Sequence, residues 1–341
     1  IEKYGTDALR YALVTGNSPG NDLRFSDEKV EAGRNFANKI WNASRFVLMN
    51  FDENIDFSQV DERKFTTADK WILGRINNLI KEVTENLEKF ELGIAFQKIY
   101  EFIWEEFCDW YIELVKPRLY DRESEGRLEA QYVLNYVLGA SMKLLHPFMP
   151  FITEEVYSYL INDDPSIMIS AWPEYKEEYS FIKEGHDMQL IMEAVKAIRN
   201  IRAEMNVPPS KKASVIFVAA GQEERDILAE GRIYFERLAG ASGVAIKSEK
   251  AGIPENAVSG VLHGVEIYIP LDELIDIAKE IERLEKEKEN LEKELDRVNS
   301  KLSNQGFIMK APAKVVEEEK AKKVKYQEMY DKVIARLNAL K

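Results

Sequence analysis

The sequence predicts a mainly α protein in three parts: a helical bundle over 1–183, a small α/β unit over 184–270 and an antiparallel coiled-coil hairpin over 271–341. Three observations carry this reading. Apolar residues recur every three or four positions through the first half. Short β-branched runs bounded by Gly and Pro are confined to the middle. Heptad spacing governs the last stretch. With 341 residues, 45% of them hydrophobic, there is ample material for large cores, so wholesale disorder is excluded.

The bundle is read element by element. The chain opens at Ile1 rather than Met, within what reads as a helix, and looks like a piece of something longer. Ser26 before Asp27 and Glu28 makes an N-cap and an acidic first turn for a helix to Met49. Thr66 and Asp69 make a Thr-x-x-Asp start for a helix over 67–90. Leu92, Phe96, Ile99, Ile103, Phe107, Trp110 and Leu114 form one wide apolar helical face, expected to end at Pro117. A helix over 128–145 is closed by Pro147, and a short one spans 152–160.

In the middle part, a helix over 187–204 is stopped by Pro208-Pro209, and 214–218 reads as a buried strand. A helix over 223–238 and a strand at 244–246 follow. Val258–Leu262 and Val265–Ile269 flank His263-Gly264 as a β-hairpin. In the last part Leu274, Ile277, Ile281, Leu284, Lys288, Leu291, Leu295, Val298 and Leu302 alternate spacings of three and four. After a break containing Gly306 and Pro312, Tyr326, Tyr330, Val333, Leu337 and Leu340 repeat the pattern. Two heptad helices joined by a short break fold most simply on each other as a hairpin. Dimerisation through the first helix is the other way to cover the seam, and the polar Lys288 favours a particular register over generic association.

Composition limits function. Lys and Arg number 47 against 60 Asp and Glu, a net charge of −13, so any polyanion site has to be a local basic patch. One cysteine, Cys108, and the scattered His146, His186 and His263 leave no disulfide framework and no ligand-spaced metal set, and they suit a reducing, cytoplasmic setting. No run is long and apolar enough for a membrane span. No phosphate loop or catalytic constellation appears, so no catalytic or metal-binding residue is assigned.

The informative signal is where acids are missing. Residues 32–51 contain Arg34, Lys39 and Arg45 but no Asp or Glu before the following Asp52. At helical spacing Arg34, Asn38, Asn42 and Arg45 fall on one stripe, with Val30, Ala37, Ile40, Trp41, Val47 and Leu48 on the adjoining face. Such a stripe either reads unstacked bases or cross-links neighbouring helices. Two further basic islands are 194–219, with Arg199 and Arg202, and 301–341, where Lys320, Lys322, Lys323 and Lys325 crowd together. In the second island Lys322 and Lys325 share one side and Lys323 falls on the seam register. Three basic islands on an acidic chain favour an extended polyanion over one small pocket.

Longer segments carry a resemblance. Tyr4-Gly-Thr-Asp-Ala-Leu-Arg10 resembles the stretch that follows the KMSKS loop of class I aminoacyl-tRNA synthetases. Asp22-Leu-Arg-Phe25 and the 34–46 segment resemble the opening of the anticodon-binding bundle in the valyl-tRNA synthetase family. The 198–212 segment is similar to that family's stretch past the bundle, and 301–307 with Lys310-Ala-Pro312 resembles the turn of its coiled-coil arm. The isoleucyl relatives share the bundle, but their usual C-terminal cysteine zinc site cannot be built from one cysteine.

The resemblance implies that the bundle holds the anticodon, with Arg34, Asn38, Asn42 and Arg45 facing it, and that the arm lies on the tRNA elbow. Arg199, Arg202, Lys322 and Lys325 would then meet the RNA backbone, and the α/β unit would orient the arm. It further implies tRNA(Val) as partner and valine joined to it using ATP with Mg. The HIGH and KMSKS motifs and the editing domain would lie before Ile1, leaving no cofactor site here and an inactive piece. The expected chain is a monomer with no membrane or DNA partner. The alternatives are a coiled-coil module for protein partners, or the matching part of another class I synthetase such as the isoleucyl one.

Overall fold

The structure, a computed structural model, describes residues 1–16, 25–274 and 277–340. Asp22-Leu-Arg24 of the quoted motif lies outside the described residues. The chain forms two compact units, Ile1–Met192 and Glu193–Lys341.

In the first unit the chain opens on a turn rather than a helix. Gly5, at φ 89°, leads into α1 (Thr6–Val14). Then come α2 (Asp27–Met49), α3 (Thr67–Glu88) and α4 (Leu92–Glu101). A π-helical stretch, Phe102–Tyr111, continues directly into α5 (Ile112–Tyr120). α6 (Arg127–Leu145) and α7 (Pro150–Tyr159) follow, and the division between units falls inside α8 (Ile182–Glu204).

The starts of α2 and α3 are set by side chains that satisfy orphan N–H groups. Ser26 Oγ accepts from Lys29 N at 3.4 Å, and Thr66 with Asp69 forms a full capping box. Pro117 does not end its helix. The chain holds helical form to Tyr120 because Leu119 is buried and the Arg118 guanidinium is anchored on Asp69, contacts that outweigh one missing ladder donor.

Phe36 of α2, Ile72 and Ile76 of α3, Phe96 of α4, Phe107 of the π stretch and Leu134 of α6 are each at most 1% exposed and fill the core. Burying each such side chain contributes about 1.5–3 kcal/mol. α1 is docked by polar contacts. Asp7 accepts from the Phe151 and Ile152 N–H groups in the first turn of α7, and Arg10 donates to the Pro147 and Phe148 carbonyls. Gly33 lets α1 approach α2, since a Cβ there would stand 2.9 Å from the Ala8 carbonyl and from the Tyr11 ring.

The second unit begins with the end of α8. Its strands are β1 (Ala213–Ala219), β2 (Ala241–Lys247), β3 (Ala257–Leu262) and β4 (Val265–Pro270), in sheet order β2-β1-β4-β3. β1 and β2 are parallel, while β4 runs antiparallel to both β1 and β3. The crossover between the parallel strands is not the single 223–238 helix expected but two, α9 (Gln222–Glu230) and α10 (Arg232–Leu238), broken at Gly231. His263 and Gly264, at φ 43° and 80°, turn the β3–β4 hairpin, the positive pair that such a tight turn requires.

After α11 (Leu271–Leu274), the hairpin consists of α12 (Ile277–Ser303), the short α13 (Gln305–Lys310) and α14 (Ala313–Leu340). Leu284 and Leu291 of α12 pack with Val333 and Leu337 of α14, joined by Ile281, Tyr326 and Tyr330. Nearer the turn Lys301 meets Glu319, and midway Tyr330 donates to Glu292. Partners thus approach the turn together from both sides, which is the antiparallel arrangement.

Candidate nucleic-acid interface

α2 offers its buried side to the bundle through Val30, Gly33, Phe36, Ile40, Ala43, Ser44 and Val47. Ala37, Trp41 and Leu48, expected in the core, are only partly covered. The opposite side exposes Asn35, Asn38, Asn42, Arg45 and Met49, spaced three and four apart, with no carboxylate among them. Amides offer both a donor and an acceptor to base edges, and a guanidinium can stack or donate in a fork. Asn35 belongs to this face as much as Asn38 does, and the same helical spacing marks it in the sequence.

Arg34 is the exception. It is half-buried, donates to Glu31 at 2.8 Å and sits 5.4 Å from the centroid of the Tyr4 ring. Its position ties the chain before α1 to α2. Asn38, Asn42 and Arg45 are thus brought together on one exposed line, and Arg34 stands aside from it.

Of the two arginines expected at the RNA backbone from the 194–219 island, Arg199 is exposed, with its Nε on the Leu238 carbonyl at 2.7 Å. Arg202 corrects the expectation. It is 8% exposed and donates to the carbonyls of Gly240, Pro208 and Lys211. Burial lowers its pKa, and its donors are spent on the turn before β1 rather than left for a phosphate. Gly240, at φ 70°, is the residue the guanidinium lies against, since a Cβ there would stand 3.0 Å from it.

On the arm, Lys320, Lys322, Lys323 and Lys325 are all exposed. Lys323 therefore does not occupy the seam. Near the turn that place is taken by Glu319, 5% exposed, whose Oε1 accepts from Lys301 at 3.1 Å and from Lys322 at 3.0 Å. Lys320, Lys323 and Lys325 make no ion pair among the described residues. α12 differs, because Arg283, Lys286, Lys288, Lys293 and Arg297 each pair with a glutamate of the same helix. These five cations of α12 are neutralised within their own helix, whereas Lys320, Lys323 and Lys325 of α14 face solvent.

Among the described residues no group of His, Cys, Asp and Glu is arranged to hold a metal ion, and no helix is long and apolar enough to cross a membrane.

Residues 69–217 match the family described as the anticodon-binding domain of tRNA ligase, and residues 276–341 match the valyl tRNA synthetase tRNA binding arm. α2 lies just before the first match and packs into the same bundle. Over its whole length the chain is similar to valine–tRNA ligases, at 55% identity to that of Clostridium acetobutylicum and 54% to that of Clostridium tetani. Identity to the Geobacillus stearothermophilus enzyme is 46%, again over the whole chain. The chain spans 39%, 38% and 39% of the length of these three relatives.

Proposed function

We propose, for a chain that belongs to the valine–tRNA ligase family through its anticodon-binding domain and its tRNA-binding arm, that it grips tRNA(Val) through two surfaces, one in each unit. The observation that carries this is the pairing of the two matched stretches with two cation- and amide-bearing surfaces. One is the exposed Asn38–Asn42–Arg45 face of α2 beside the anticodon-binding domain, and the other is the lysine-bearing side of α14 within the arm. The α2 face has the chemistry of base-edge recognition, and the α14 face that of phosphate contact. Joining valine to the tRNA with ATP then belongs to the parts of the longer relatives that this chain does not span, and the setting is cytoplasmic.

The test is a titration of the chain with tRNA(Val) and a non-cognate tRNA across a salt series. Tighter binding of tRNA(Val), weakening steeply with salt, is the expected result. Arg45→Ala should cost about 1–3 kcal/mol if its side chain reads a base, with a larger loss on tRNA(Val) than on an anticodon-altered version. Salt-insensitive capture of a protein partner with no tRNA binding would overturn the reading in favour of a coiled-coil interaction module.

A further inference from the structure

Lys39 is a cation of α2 that the base-reading face does not use. Its side chain is 22% exposed, its Nζ lies 2.7 Å from Asp109 Oδ1 and 3.9 Å from the centroid of the Trp104 ring. Both partners come from the π-helical stretch Phe102–Tyr111. They are five residues apart, and at 3.6 residues per turn that spacing places side chains about 140° from each other. An α-helix could not bring both to one ammonium. The i→i+5 hydrogen bonding of a π turn widens each turn so that residues five apart come close to one face.

The Trp104 ring is itself held. It stacks on Tyr100 with centroids 5.5 Å apart and on Phe36 at 6.4 Å, and Phe36 is fully buried on the inner side of α2. Asp109 is 53% exposed, but a partly covered cation held over an indole as well as beside a carboxylate is a stronger tie than a lone surface pair. Lys39 sits next to Asn38 and one turn from Asn42 and Asn35, so whatever fixes Lys39 fixes the rotation of α2 about its axis.

We propose that Lys39, clamped between Trp104 and Asp109, positions the Asn38–Asn42–Arg45 face of α2 for base recognition, and that the π-helical winding of Phe102–Tyr111 is what makes the clamp possible. Lys39, Trp104 and Asp109 are positioning residues that touch no base themselves. The proposal rests on the α2 face being the base-reading surface.

The discriminating variant is Asp109→Asn, which keeps the shape and removes the charge that anchors Lys39. The full chain carrying Lys39→Met, Asp109→Asn or both is titrated with tRNA(Val) and with an anticodon-altered tRNA(Val) at several salt concentrations. Each single variant should weaken tRNA(Val) binding by about fivefold or more and narrow the preference over the altered tRNA. The double variant should be no weaker than the worse single one, because the two residues act as one unit. The salt slope should stay unchanged.

If Asp109→Asn binds as well as or better than the parent while Lys39→Met flattens the salt slope by about one unit, Lys39 is a phosphate contact and the clamp is refuted. Lower melting temperatures with unaltered affinity would refute it in favour of packing alone. Asn42→Ala and Arg45→Ala separate the two levels. If they leave binding unchanged, the α2 face is not the reader and both ideas fall. If they weaken binding and Asp109→Asn does not, only the clamp falls.

Discussion

Asp69 shows how much one buried side chain can organise. Fully buried, it accepts from the Thr66 backbone N–H and hydroxyl at 2.9 Å each, from the Tyr111 hydroxyl at 2.7 Å, and from Arg118. One carboxylate therefore caps α3, holds Tyr111 at the end of the π stretch and anchors α5. Asp69→Ala should cost about 3–5 kcal/mol in denaturant unfolding, because it strands a partly buried guanidinium as well as removing a cap. A midpoint equal to the parent's would show that Arg118 finds another partner. Cys108 offers a residue-scale check of burial. Its thiol is pushed up to about 12, chiefly by burial, so it stays protonated and unreactive at mildly alkaline pH. Iodoacetamide should label this partly covered thiol far more slowly in the folded chain than in denaturant; equal rates would show that the fold does not suppress its reactivity.

At the scale of elements, the arm separates stability from binding. Its seam is an apolar zipper, and Leu291→Ala should destabilise the hairpin by about 2–5 kcal/mol, read as earlier thermal loss of helix with the sheet unaffected. Near the turn, Lys322 and then Lys301 hold the Glu319 carboxyl below its usual range. A lowered folded pKa means this contribution is complete above the ordinary value of 4.5 and fades as pH falls through the lower folded value. Helix loss on acidification should therefore be smaller in Glu319→Gln, which has no charge left to lose. On the outer side, replacing Lys320, Lys322, Lys323 and Lys325 together should weaken all tRNAs alike and flatten the salt slope, since phosphate contacts carry no sequence information. Lys325→Ala should account for more of this than Lys322→Ala, because Lys322 is already compensated by Glu319. Equal affinity and slope in the quadruple variant would make the lysines solubilising only.

For the whole chain, the net charge of −13 and the basic faces act together. The acidic background repels a polyanion everywhere except at the patches, which favours register over generic attraction. On the proposed reading the chain should show no valine-dependent ATP–pyrophosphate exchange, because the residues for valine and ATP belong to parts of the relatives beyond its span. Exchange above background would overturn that. Since each seam of the arm is covered by the other helix of the same hairpin, the chain should sediment as a monomer at micromolar concentration. A concentration-dependent dimer abolished by removing 271–341 would show instead that the arm exchanges helices between copies.

Local patterns settled many of the elements. The Thr66–Asp69 box, the Ser26 cap, the His263-Gly264 turn and the heptads at Leu284, Leu291, Val333 and Leu337 all act over a few residues, so spacing and residue type suffice to find them. The exposed line of Asn38, Asn42 and Arg45 follows from the same periodicity. Long-range packing decided the rest. Arg202 and Lys322 look alike as surface cations in a string of letters; only the fold reveals that one is walled in by three carbonyls and the other rests on a buried glutamate. Pro117 reads as a stop until Leu119 and Arg118 are seen to be held from outside the helix. The π winding at Phe102–Tyr111 has no local signature, because it adds a residue to a turn without changing which residue types are apolar. Its contacts are with partners tens of residues away in the chain, Lys39 on Trp104 and Asp109 and Asp69 on Tyr111.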